Sequence, residues 1–80
     1  MTVKDAVVKR VQSLCGEKGI TPNGLANISG VTPSTVYSLF DERRRDVSII
    51  TIKKLCDGLE ITLGAFFSTP EFDSLEQEIV

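Results

Sequence analysis

An all-α fold is what this sequence predicts, and three observations predict it. Apolar residues recur at three- and four-residue spacings along most of the chain, and no stretch alternates with period two for long enough to make a strand. Thr-Pro pairs, isolated Ser and Thr residues and later glycines cut the chain into helix-sized pieces. Among the 80 residues, 7 Ile, 8 Val, 7 Leu and 4 Phe make about a third of the chain, enough to sustain a core. A chain of this length buries only about 60 to 65% of its unfolded surface, so one core is expected and not two.

The elements follow in order. A first helix is expected from Val3 to about Lys18: Thr2 caps it with Asp5 three residues on, Gly19 closes it, and Val3, Val7, Val11, Leu14 and Cys15 form its inward stripe. Thr21-Pro22 opens a second helix of barely two turns that ends at Gly30 and carries Leu25, Ala26 and Ile28. Thr32-Pro33 repeats the start signal for a third, Pro33 to about Phe40, with Val36, Leu39 and Phe40 as its buried face. Asp41 to Val47 is charged and lacks an apolar period, which reads as a loop. Ser48 opens a fourth helix with Ile49, Ile52, Leu55, Cys56 and Leu59 inward, and Thr62 caps a fifth carrying Phe66 and Phe67. After Pro70, the spacing of Phe72, Leu75 and Ile79 allows a short amphipathic helix whose stripe would meet either the body or a second chain.

Composition narrows the function. With no His, the chain lacks the commonest general base and the most versatile metal ligand, which argues against an enzyme. Cys15 and Cys56 form no CxxC and are too few for a tetrahedral zinc site, so they read as small core hydrophobes, with a regulatory disulfide as the alternative; neither a cofactor nor a small-molecule ligand is indicated. No apolar run reaches the roughly 18 residues needed to cross a bilayer, and the charged start is unlike a signal peptide, so no membrane association and a cytoplasmic location are expected. The formal net charge is −2, yet Glu71, Asp73, Glu76 and Glu78 crowd into the last ten residues, and residues 1–70 hold all nine bases against seven acids. Arg43, Arg44 and Arg45 are consecutive. We therefore divide the chain into a mildly basic body, residues 1–70, and an acidic tail, residues 71–80.

Two short helices joined by a Gly-containing turn make a helix-turn-helix, here with the spacing Leu25-Ala26-x3-Gly30-x5-Val36-x2-Leu39. Ala26 is small where the second helix of the pair crosses, Gly30 supplies a left-handed turn residue, and Val36 and Leu39 anchor that second helix. At these residues TPNGLANISGVTPSTVYSLF, followed by ITIKKLCDGLEITLGAFF, resembles the phage Cro/repressor (XRE-like) type of helix-turn-helix regulator, in particular the short stand-alone bacterial ones. The resemblance covers about Val3 to Phe67. It implies a five-helix, λ-repressor-like fold, sequence-specific binding of double-stranded DNA, and action as a homodimer.

Carried over position by position, the resemblance places base-reading residues at Pro33, Ser34, Tyr37 and Ser38. Helical spacing independently sets these positions away from Val36, Leu39 and Phe40, and hydroxyls with one aromatic edge suit base edges and a thymine methyl. Thr32 and Thr35, at the start of that helix, and Arg43, Arg44 and Arg45, just beyond its end, are the candidate phosphate contacts. Two departures stand out: Pro22 takes a place where many relatives carry a polar side chain, and Asp41-Glu42-Arg43 offers no Gly or Asn to close the third helix. The competing function is an antitoxin-like or adaptor protein-interaction module on the same fold, which the net charge and the acidic tail favour.

Overall fold

The computed structural model describes residues 1–79 and contains six helices: α1 (Val3–Lys18), α2 (Pro22–Ser29), α3 (Pro33–Phe40), α4 (Ile49–Leu59), α5 (Leu63–Phe67) and α6 (Pro70–Asp73). Hydroxyl side chains start most of them. The Asp5 amide donates to Thr2 Oγ1 at 3.2 Å and the Thr2 amide to Asp5 Oδ2 at 3.0 Å, a reciprocal capping box. Thr21 and Thr62 each accept an amide at the third helical position, from Gly24 at 3.1 Å and Ala65 at 3.0 Å, and Ser48 accepts from Ile50 at 3.1 Å.

Three helices end alike. Gly19, Gly30 and Glu60 adopt left-handed backbone at φ 64°, 69° and 59°. The next residue in each case, Ile20, Val31 or Ile61, returns its amide to a carbonyl five residues back and packs its side chain on the core. Each stop signal is thus coupled to tertiary packing: the turn satisfies the helix's last carbonyls and also delivers an apolar side chain to the interior.

The core joins Val7, Val11, Leu14 and Cys15 of α1, Leu25 and Ala26 of α2, Val36 and Leu39 of α3, Ile52, Leu55, Cys56 and Leu59 of α4, and Phe66 of α5. The second helix packs against α3 and α4, and α5 packs against α4. Burying these side chains is the main source of stability, at roughly 1.5 to 3 kcal/mol for each large aliphatic or aromatic one. Among the described residues, no helix is long and apolar enough to cross a membrane.

Some apolar positions lie elsewhere than their spacing suggests. Val3 and Ile49 start their helices one turn beyond the packed region and are 37% and 54% exposed, Ile28 turns outward at 51%, and Phe40 is half-buried. The tail differs most. Its helix ends at Asp73 after a single turn, so Phe72, Leu75 and Ile79 do not share one helical stripe, and Ile79 is exposed. Phe72 instead joins the body, its ring 4.9 Å from Phe67 and 6.1 Å from Phe66, with the Phe66 and Phe67 rings edge to face at 4.9 Å. Beyond the helix, the Glu76 amide donates to the Met1 carbonyl at 3.3 Å, which lays the acidic segment along the start of α1.

Candidate nucleic-acid interface

Because Val36 and Leu39 face the core, the 100° step of a helix sends Ser34, Tyr37 and Ser38 toward the other side of α3. Ser34 and Tyr37 are exposed, Tyr37 at 53%, and Ser38 is half-buried. Pro33 is the first helical residue and is also exposed. These four side chains therefore form one outward surface that carries two serine hydroxyls, a tyrosine ring and a proline.

At the start of α3 the capping pattern changes. Thr32 holds the cap position, but its side chain accepts no backbone amide of the helix. Its Oγ1 lies 2.9 Å from Ser34 Oγ and 3.0 Å from Thr35 Oγ1, so three hydroxyls form one cluster at the positive end of the helix dipole. Hydroxyls donate or accept by rotation, and a cluster of three can re-aim toward an anion at little cost. Ser34 and Thr35, assigned separate roles from sequence, are thus joined through Thr32.

Past Phe40 the chain turns without a left-handed residue: Asp41 has φ −73° and ψ 114°. Its carboxylate takes over the turn chemistry, accepting the Arg43 amide at 3.0 Å and the Arg43 guanidinium at 3.1 and 3.0 Å. Those side-chain and backbone hydrogen bonds from Arg43 hold the Asp41 carboxyl down at about 2. The Arg43 side chain is nonetheless 90% exposed, and Arg44, 4.0 Å from the same carboxylate, is 65% exposed. Arg45 is exposed and makes no ion pair among the described residues. The loop therefore presents three guanidinium groups to solvent, with Asp41 ordering the first of them.

Sequence reasoning missed two side chains that shape this region. Lys4 is only 8% exposed and reaches from α1 to the carbonyls of Asp41 and Arg44. Arg10 donates to the carbonyls of Phe66 and Ala65 at 2.9 and 3.0 Å, closing α5, and lies over the Phe66 ring. Both occupy helical positions that read as ordinary solvated charge. Only the inward apolar neighbours Ala6, Val7 and Val11 signal that this part of α1 is close-packed.

Two short helices at a glycine turn, packed by flanking helices and followed by a basic loop, define a helix-turn-helix protein. Residues 10–71 match the Cro/C1-type HTH DNA-binding domain, and the chain belongs to that family. In structure it is similar to the prophage Lp1 protein 11, with a TM-score of 0.83 and 29% sequence identity over 94% of this chain and 99% of the other. No curated protein matches the sequence. The five-helix DNA-binding architecture expected from the resemblance is present, with α6 as a one-turn addition.

Proposed function

We propose that this chain is a sequence-specific transcriptional regulator that binds its DNA site as a homodimer in the cytoplasm, with α3 in the major groove. The observation that carries the proposal is the outward surface of α3, where Ser34, Tyr37 and Ser38 stand opposite the buried anchors Val36 and Leu39. In this reading Pro33, Ser34, Tyr37 and Ser38 meet base edges. Thr32, Thr35, Arg43, Arg44 and Arg45 meet phosphates on either side and set the register. Residues 1–70 are the DNA-binding body, and residues 71–80 are an acidic appendage that phosphates would repel.

Selecting bound duplexes from a random pool tests this. A two-fold symmetric site with half-sites about 34 Å apart is the expected result. Ser34→Ala, Tyr37→Ala and Ser38→Ala should each relax preference at one or two base positions, by roughly 1 to 3 kcal/mol where a bond to a base edge is removed. Three variants that retain the parent's full sequence preference would remove α3 from the reading. Affinity that is insensitive to salt would favour the protein-interaction alternative, because phosphate contacts release counterions.

A further inference from the structure

The third helix ends without the left-handed residue that closes α1, α2 and α4, and its last carbonyls need another partner. Asp41 returns its amide to the Ser38 carbonyl at 3.2 Å, and the Arg44 amide donates to the Asp41 carbonyl at 3.1 Å. That turn aims the Asp41 and Arg44 carbonyls at a single point. Lys4 Nζ occupies it, 3.4 Å from the Asp41 oxygen and 2.5 Å from the Arg44 oxygen. Among the described residues, no carboxylate lies within ion-pairing reach of this ammonium. A nearly buried cation is thus held by backbone carbonyls at the negative end of α3.

We propose that Lys4 is a positioning residue for DNA binding: it ties together the turn that follows α3 and holds the Arg43–Arg45 segment at a fixed height against α1. The inference rests on the reading of that segment as a phosphate contact. An untethered arginine loop would still carry its charge, but each phosphate contact would first require the loop to be ordered. Holding it in place beforehand removes that cost from binding. Lys4 itself is turned inward and adds no direct phosphate contact.

The test compares the parent with Lys4→Met, which keeps most of the apolar stem without the ammonium, Lys4→Arg, which keeps the donors, and Arg44→Ala/Arg45→Ala. Affinity is measured for specific and random duplexes across a salt series, with amide exchange at Arg44 and Arg45 as a readout independent of DNA. Lys4→Met should weaken binding to both duplexes by a similar factor of about three to ten. It should flatten the slope of log affinity against log salt by about 0.9 for each phosphate that the loop no longer neutralises, and speed exchange at the Arg44 amide. Base preference should not change, and Lys4→Arg should restore the slope. If Lys4→Met does not fold, Lys4→Gln supplies a shorter neutral donor with the same expected direction. An unchanged slope in folded Lys4→Met or Lys4→Gln, beside a flattened slope in the double arginine variant, overturns the role of Lys4 and leaves the arginine reading standing. Unchanged slopes in both overturn the arginine reading and this inference with it. A lowered melting temperature with unchanged slope and exchange overturns it too, since Lys4 would then serve stability alone.

Discussion

Gly58 of α4 lies directly against Ser29 of α2: a Cβ built on Gly58 would fall 2.9 Å from Ser29 Cα and 2.9 Å from the Ile28 carbonyl oxygen. The same approach buries Ser29 Oγ, which finds no hydrogen-bond partner among the described residues. It sets how closely the first helix of the helix-turn-helix pair docks on α4. Gly58→Ala should therefore destabilise the fold by about 1 to 3 kcal/mol despite alanine's better helix propensity, because backbone must move. Gly16 on α1 has open space around its Cβ direction, and Gly16→Ala should stabilise by up to about 1 kcal/mol. Denaturant unfolding of the two variants checks both signs, and equal effects would remove the close approach as the cause.

Glu60 takes the left-handed position at the end of α4 that Gly19 and Gly30 take on α1 and α2. A side chain pays a steric cost there that glycine avoids. Glu60→Gly should raise stability by about 0.5 to 1 kcal/mol, while Gly30→Ala, the reverse change at the equivalent turn, should lower it by a similar amount or more. Thermal melts of the two variants shifting in the same direction would contradict a steric origin.

Asp41 should titrate well below an ordinary aspartate, since its carboxyl is held at about 2 against 3.8. Because the folded value is the lower one, the bonds to Arg43 favour the native loop fully above pH 3.8. Their contribution fades as pH falls from there and is gone below about 2. Following the Asp41 carboxyl and the Arg43 amide by NMR should give one shared midpoint near the lower value. Asp41→Asn should abolish that transition and loosen the turn at neutral pH. A midpoint near 3.8 would mean that Arg43 does not hold this carboxylate in solution.

Cys15 and Cys56 both lie in the core, and burial pushes both thiols above their ordinary range. The thiolate is the reactive form, so an alkylating reagent near pH 8 should leave the native protein almost unlabelled and modify both residues once denaturant is added. Truncating either to Ala should cost about 1 kcal/mol through the void left behind. Rapid labelling of the native protein would place at least one thiol outside the packed interior.

Helix starts were legible because Thr2, Thr21, Thr32, Ser48 and Thr62 advertise them locally, and the stops at Gly19 and Gly30 are equally local. The stop at Glu60 was not, since glutamate has no intrinsic preference for that backbone. Its signal was the following Ile61, which repeats the Gly19-Ile20 and Gly30-Val31 pattern. The outward positions of α3 were legible from the period of Val36 and Leu39. Lys4 was not, because the partners it binds are carbonyls 37 and 40 residues away, and backbone carbonyls leave no mark in a sequence.

By itself, then, the sequence determined where α1 to α5 start, the glycine stops of α1 and α2, the apolar stripes that fold the helices together, and the helix-turn-helix spacing that places Ser34 and Tyr37 on an open surface. All of these are governed by neighbours within a turn or two along the chain. Only the tertiary structure decided which apolar residues lie at the ends of those stripes and remain exposed, as Val3 and Ile49 do, and that Phe72 packs on Phe66 and Phe67 instead of completing a tail stripe with Ile79. It also decided that a cation from α1 binds the carbonyls of the turn after α3 and that α4 approaches α2 at a glycine. Each depends on groups distant in sequence meeting at a distance set by the packing of every other helix, which no local pattern encodes.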